Sequence, residues 1–137
     1  MQIVAYSSVS DVGRVVNPMI VRGQLEGGAV QGIGQALCEH MVYDEESGQP
    51  LTGSLMDYSA PRADVMACDF VMEMDTSVPC KNNPLGVKGV GELGTIGGTP
   101  CVVNAVADAL ARAGHANQSP LLQMPVTAQK VWTALSQ

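Results

Sequence analysis

The chain has 137 residues, of which 46% are apolar and only 4% aromatic, and its formal net charge is −6. A chain of this length can bury a core of its own, and this apolar content is too high for an intrinsically disordered protein. The acidic charge and the lack of a basic patch predict that the chain binds neither nucleic acid nor an anionic membrane surface. No apolar run reaches the roughly 18 residues that a membrane span needs.

Four cysteines are spread along the chain without a C-x-x-C pair, namely Cys38, Cys68, Cys80 and Cys101. This spacing does not match a zinc site, so we expect no metal ligand among them. Isolated cysteines in apolar surroundings are typical of buried thiols in a reducing compartment. The residues after Met1 do not resemble a secretory signal. These features together predict a cytoplasmic protein.

The first part of the chain predicts a strand followed by a long helix. Residues 3–9, IVAYSSV, are typical of a strand that leads into a turn at residues 11–14. Asn17 and Pro18 then mark a helix start, because asparagine caps helices and proline suits the first helical position. Apolar residues at helical spacing continue this helix to about His40. Its many glycines predict close packing against another backbone or a cofactor.

The middle of the chain predicts a hairpin and a second strand. Residues 41–43 and 51–52 flank an acidic, glycine-containing turn that is typical of a hairpin connection. Residues 68–74 alternate Phe70, Met72 and Met74 with more polar neighbours, which is the period of a strand.

Two helices are predicted near the C-terminus. The first covers residues 99–113, with Thr99 as its cap, Pro100 in its first turn and Gly114 at its end. The second starts at residues 125–127 and runs on through Leu135. The whole chain, residues 1–137, therefore predicts a single α+β domain with a glycine-rich long helix, short antiparallel strands and two C-terminal helices.

Residues 86–98, GVKGVGELGTIGG, hold six glycines in thirteen positions around one acid, Glu92, and one base, Lys88. Glycine gives up the most backbone freedom on folding, so this density indicates a backbone that turns sharply or approaches another group closely. A flexible surface loop is one interpretation. Apolar residues within the segment argue against it and predict a buried site loop; they are Val87, Val90, Leu93 and Ile96.

The segment from Gly89 to Gly94 matches the dinucleotide fingerprint G-x-G-x-x-G. That motif indicates nucleotide binding only between a strand and a helix, with an acid about 20 residues further on. Here an Asn-Asn-Pro run precedes the motif, and the next acid, Asp108, falls inside a helical pattern. We therefore reject the nucleotide-binding interpretation.

Four segments together carry a resemblance to one family. They are DVGRVVNP at residues 11–18, GQLEGGAVQGIGQAL at 23–37, NPLGVKGVGE at 83–92, and residues 100–110 with the PVT at 125–127. Their order and spacing resemble the C-terminal part of the molybdopterin-binding large subunit of the xanthine dehydrogenase, aldehyde oxidoreductase and carbon monoxide dehydrogenase family. The resemblance implies that the fold is the C-terminal portion of a molybdenum-cofactor-binding domain.

The resemblance also implies a role for Glu92. In this family a glutamate beside the molybdenum takes the proton from the oxygen that attacks the substrate, and Glu92 matches its position. A carboxylate in an apolar, water-poor loop is expected to have a raised pKa, which suits a general base. The alternative is that Glu92 only accepts hydrogen bonds from the amides of its own loop.

Contacts to the pterin part of the cofactor follow from the same resemblance. Gln24 matches a glutamine that hydrogen-bonds the pterin, and Gln31 lies seven residues on, on the same helical face. The alternative for Gln31 is a buried amide that bonds to a nearby backbone. An amide suits a pterin because it donates and accepts. The backbone of the glycine segment is expected to bind the anionic oxygens of the cofactor, through Gly86, Val87, Lys88, Gly89, Val90 and Gly91. The Lys88 side chain either adds charge there or pairs with a surface acid.

The resemblance implies partners as well. A complete subunit of this family is several times longer, and iron–sulfur clusters and FAD are expected on partner chains only. We expect this chain to work with other subunits or with a missing N-terminal portion. The competing hypothesis is a non-catalytic module that self-associates as a homo-oligomer. The substrate is left open among aldehydes, purines, N-heterocycles and carbon monoxide.

Overall fold

A computed structural model describes residues 1–66, 68–118 and 122–136. Within them the chain forms, in order, β1 (Ala5–Asp11), α1 (Pro18–Leu37), a short 3-10 helix (Ala63–Met66), β2 (Asp69–Asp75), α2 (Leu93–Arg112) and α3 (Ala128–Leu135). The mixed helix and strand content agrees with the predicted class. The chain divides into two compact units, one built from Met1–Gly32 and Arg62–Gly98 and the other from Ile33–Pro61 and Thr99–Gln137.

The sheet of the first unit is a parallel pair, β1 on β2, in register from Ala5 opposite Asp69 to Asp11 opposite Asp75. The prediction of antiparallel strands was therefore wrong for these two elements. Parallel strands need a long crossover connection, and the segment that contains α1 provides it. In the described part of the chain, antiparallel pairing occurs as isolated bridges, Gly13 with Val87 and Tyr43 with Pro50.

The core of the first unit lies between the sheet and α1. Its buried residues are Val12, Leu25, Ala29 and Met72. The alternation predicted for β2 is confirmed, because Phe70 and Met74 also pack against this core while Val71 is 48% exposed. The rings of Tyr6 and Phe70, which are register partners, lie 5.4 Å apart between centroids. Aromatic pairs at this separation add to the stability of a sheet.

The helix starts are set by different causes. α1 begins as predicted, and the Asn17 side chain accepts a hydrogen bond from the Ile20 amide at 3.2 Å. α2 begins at Leu93, so the predicted start at Thr99 and Pro100 was wrong by two turns. Leu93 packs against the core of the first unit, and this tertiary contact stabilises a first turn that its glycines disfavour. No helix among the described residues has both the length and the apolar character to cross a bilayer.

The second unit holds the hairpin and the ends of the helices. Tyr43 and Pro50 form the hairpin bridge, and the Val126 amide donates to the Ala36 carbonyl at 2.6 Å. Gly114 ends α2 with a φ of 92°, as predicted, because the amides of Gly114 and His115 donate back to carbonyls of the last turn. The buried apolar side chains of this unit are Ile33, Ala36, Val102, Leu110, Val126 and Ala134.

Candidate functional site

The glycine segment is residues 86–98. The part of it that carries Glu92 lies on the surface of the first unit. Gly89, Gly91 and Glu92 are exposed, while Val90 and Leu93 are half-buried against the core. The prediction of a buried loop was therefore wrong for this part of the segment. The physical reason is that the apolar side chains turn inward and leave the glycine backbone and the carboxylate facing outward.

Glu92 stands at the entrance to α2. Its backbone carbonyl accepts the first helical hydrogen bond, from the Ile96 amide at 3.0 Å. Among the described residues no lysine, arginine or histidine forms an ion pair with its carboxylate. The carboxylate thus has no cationic partner in the part of the chain that the structure describes, and it stands at the N-terminal end of a helix.

Gln24 and the glycine segment come together in the structure. Gln24 is an exposed residue of α1, and a Cβ built on Gly91 would lie 3.7 Å from the Gln24 Oε1 atom. The amide of Gln24 is therefore next to the backbone that leads into Glu92. Gln31 is exposed two helical turns further along α1. The structure gives its side chain no hydrogen bond to any described residue.

The start of the glycine segment is held by backbone and amide hydrogen bonds. The Gly86 carbonyl accepts from the Arg14 amide at 2.9 Å and from the Cys80 amide at 3.0 Å. The Asn83 side chain binds both backbone groups of Val87, donating to its carbonyl at 3.0 Å and accepting from its amide at 3.3 Å. Our sequence reasoning gave Asn83 no role. An asparagine just before a proline is the signal for such a turn.

Lys88 pairs with Asp11 at the end of β1, with 2.5 Å between Nζ and Oδ2. Of the two roles considered for the Lys88 side chain, this contact matches pairing with a nearby acid. The hydrogen bond from Lys88 is the main reason that the pKa of Asp11 lies below its ordinary value of 3.8, with a smaller contribution from the Gly13 amide. Asp11 is the first residue of the DVGRVVNP motif at residues 11–18. Its partner Lys88 is 77 positions away, and sequence spacing gives no signal for this contact.

Beyond Lys88 the segment presents free backbone. In the part of the chain that the structure describes, the amides of Gly89, Val90 and Gly91 donate to no protein acceptor. A Cβ built on Gly89 would meet no atom within 4 Å, so the space in front of this backbone is open. Adjacent free backbone amides are donors of the kind that anionic oxygens accept from.

Comparison with known proteins places these features in a family. The model of the molybdopterin cofactor-binding domain matches residues 1–67, which contain Gln24. The chain is 41% identical over 133 residues to the 6-hydroxypseudooxynicotine dehydrogenase complex subunit gamma of Paenarthrobacter nicotinovorans, covering 96% of this chain and 16% of that protein. It is 38% identical to the carbon monoxide dehydrogenase large chain of Afipia carboxidovorans, covering 93% of this chain and 15% of that one.

The fold agrees with the sequence comparison. The structure of quinoline 2-oxidoreductase from Pseudomonas putida 86 matches 99% of this chain and 16% of its own chain, with a TM-score of 0.85 and 34% identity. The chain thus spans about one sixth of the length of these relatives. The chain belongs to the family of molybdopterin-binding large subunits found in xanthine dehydrogenases, aldehyde oxidoreductases and carbon monoxide dehydrogenases.

Proposed function

We propose that this chain supplies the catalytic base and part of the molybdopterin cradle of a molybdenum hydroxylase-type oxidoreductase. Glu92 is the base, and Gln24 and Gln31 bind the pterin. Of the predicted backbone ligands in residues 86–91, the amides of Gly89, Val90 and Gly91 bind the anionic oxygens of the cofactor, since those of Gly86 and Val87 already donate to Asn83. Residues 1–137 act as one partial cofactor-binding domain that works with the remaining portions of the enzyme.

The donor set of the first unit fits such a cofactor. A pterin carries hydrogen-bond donors and acceptors side by side, and the primary amide of Gln24 matches both. On α1 a Cβ at Gly23 or Gly27 would meet nothing within 4 Å, so bare helix backbone is open to a flat ligand near Gln24. The free amides of Gly89 to Gly91 add donors of the kind that anionic groups need.

The proximity of Gln24 to Gly91 is the observation that carries this proposal. It brings the pterin-binding amide of α1 to the backbone that ends in Glu92. When bound, the molybdenum cofactor supplies the redox centre that accepts two electrons from the substrate. Glu92 accepts the proton of the attacking oxygen, and its carboxylate is available because no protein cation among the described residues neutralises it.

The assembly and its setting belong to the proposal. Iron–sulfur clusters and FAD on partner chains would carry the electrons away, consistent with a relative named as one subunit of a dehydrogenase complex. The relatives' names indicate oxidation of nicotine, hypoxanthine, aldehydes or carbon monoxide as substrate classes to assay. A cytoplasmic location is supported by the free thiols of Cys38, Cys68, Cys80 and Cys101.

Replacing Glu92 tests the proposal. In the assembled enzyme, Glu92→Gln keeps the size and shape of the side chain but replaces the basic carboxylate with a neutral amide. We expect kcat to fall by about 10²- to 10⁴-fold, the usual contribution of a general base. Molybdenum content per chain, measured by mass spectrometry of the metal, should stay at the wild-type level.

Glu73→Gln is the matched control, because Glu73 is an exposed glutamate of β2 outside the glycine segment. It should leave kcat and molybdenum content unchanged. Turnover of Glu92→Gln equal to that of Glu73→Gln would remove Glu92 from the mechanism.

A further inference from the structure

We infer that Asp11 and Lys88 form a positioning pair that fixes the segment carrying Glu92, and that the Lys88 side chain does not serve as a cofactor ligand. This inference deepens the proposed function and rests on it for the role of Glu92. The two residues are 77 positions apart in the chain and join the end of β1 to the glycine segment.

Asp11 uses both of its carboxylate oxygens. Oδ1 accepts from the Gly13 amide at 3.2 Å, and Oδ2 accepts from Lys88 Nζ at 2.5 Å. One side chain therefore fixes the turn after β1 and the glycine segment at the same time. Because a single carboxylate binds both Gly13 and Lys88, the two bonds together fix the position of the glycine segment relative to the end of β1.

The stem of Lys88 packs on bare backbone. Gly13 has a φ of 61°, and a Cβ added there would lie 2.9 Å from Lys88 Cγ and 2.6 Å from the Gly86 carbonyl oxygen. Glycine at this position lets the two segments meet without a side chain between them. The Lys88 side chain as a whole is 27% exposed, and its ammonium group donates to Asp11.

Lys88 anchors the chain four residues before Glu92 and so limits the length of backbone that is free to move. Two residues after Glu92, Gly94 forms a second anchor, because it packs against the backbone of α1 at Gly28. Between the two anchors, the amides of Gly89 to Gly91 make no hydrogen bond within the described chain, although Val90 packs against the core. Loss of the ion pair would move the first anchor back to Val87, which Asn83 holds, so Glu92 would sample positions away from the reacting atoms.

The experiment uses the assembled enzyme with Asp11→Asn, Lys88→Met and the double variant. Asp108→Asn is the control, since it breaks an exposed ion pair with Arg112 on α2. Four quantities are measured: molybdenum per chain, hydrogen exchange of the peptide covering residues 86–92, kcat and KM. The assay substrate is whichever of nicotine, hypoxanthine, benzaldehyde or carbon monoxide the wild type oxidises.

A positioning pair predicts the same result for both single variants. We expect faster exchange in residues 86–92, kcat lowered about tenfold, and unchanged KM and molybdenum content. The double variant should be no worse than either single one, because both remove the same interaction. Lys88→Arg should recover most of the lost kcat, since it keeps the charge that Asp11 needs.

Two outcomes would overturn the inference. Loss of molybdenum in Lys88→Met but not in Asp11→Asn would make Lys88 a cofactor ligand. Exchange and kcat in Asp11→Asn equal to those of Asp108→Asn would leave the pair without a positioning role. Failure of this inference can be distinguished from failure of the proposed function. Turnover of Glu92→Gln tests whether Glu92 is the base, whereas hydrogen exchange of residues 86–92 in the Asp11 and Lys88 variants tests the positioning pair whether or not Glu92 is the base.

Discussion

Asp11 connects two distant parts of the first unit, and its ionisation controls that connection. Its pKa is lowered mainly by the hydrogen bond from Lys88 and less by the Gly13 amide, while partial burial and the charge of Asp75 oppose the shift. A carboxylate whose pKa is lower in the folded state stabilises that state above its unfolded pKa. This stabilisation disappears as the pH falls through the lowered value.

We therefore predict that Asp11 contributes to acid unfolding. The contribution of Asp11 to the urea midpoint of the wild type should be constant from pH 7 to pH 5. It should decrease as the pH goes below 3.8. In Asp11→Asn the urea midpoint at pH 7 should be lower than that of the wild type. Below pH 3.8 the midpoint of this variant should fall less steeply with pH than the wild-type midpoint does. Equal steepness in the two proteins would show that Asp11 has no part in the acid transition.

The exposure of Glu92 is the residue-level feature that the sequence did not predict. Apolar neighbours made the segment look buried, and the motif identified Glu92 as the candidate base. Which side of the backbone faces outward depends on where Val90 and Leu93 find a core, and that core is built by β1, β2 and α1. Burial of a side chain is a tertiary property, so a local pattern of apolar residues could not assign it.

At the scale of elements, the close approach of α1 and α2 depends on two glycines. A Cβ on Gly28 would lie 3.2 Å from Gly94 Cα, and a Cβ on Gly94 would overlap backbone atoms of Ala29 and Leu25. The Thr95 hydroxyl also donates to the Gly28 carbonyl at 2.9 Å. This contact sets the position of the first turn of α2, which begins directly after Glu92.

Gly94→Ala should therefore destabilise the protein. Backbone atoms cannot move aside, so overpacking is expected to lower the free energy of unfolding by about 1–3 kcal/mol. Gly97→Ala is the matched control, because Gly97 lies in the same helix with no atom within 4 Å of its would-be Cβ. This control should be stabilised by about 0.5–1 kcal/mol through helix propensity.

Urea unfolding of the two variants beside the wild type measures the difference. The prediction fails where Gly94→Ala is as stable as Gly97→Ala, since helix propensity alone would then account for both. Such a result would also remove the argument that the glycines permit this helix contact.

On the scale of the whole molecule, the sheet presents an uncovered face. Val9 is 74% and Val71 48% exposed on neighbouring strands, and the described part of the sheet has two strands. Two-stranded sheets are marginal without further packing, and parallel sheets are normally covered on both faces. The face is therefore available to further protein, and the proposed function and the self-association hypothesis differ in which protein covers it.

Native mass and metal content of the tagged protein from its own host distinguish these assemblies. We expect molybdenum and iron to co-elute with larger partner chains, as the proposed function requires. A metal-free species that contains only copies of this chain would support the non-catalytic, self-associating hypothesis instead.

The sequence by itself determined the local features and the family. Asn17 caps α1, Gly114 ends α2, and the glycine and glutamine motifs identify the molybdopterin-binding family, because each signal is read within a few neighbouring residues. The tertiary structure alone decided the parallel pairing of β1 and β2, the early start of α2 and the contact of Asp11 with Lys88. These features depend on partners far apart in the chain, and no local pattern specifies which distant backbone or charge will meet another.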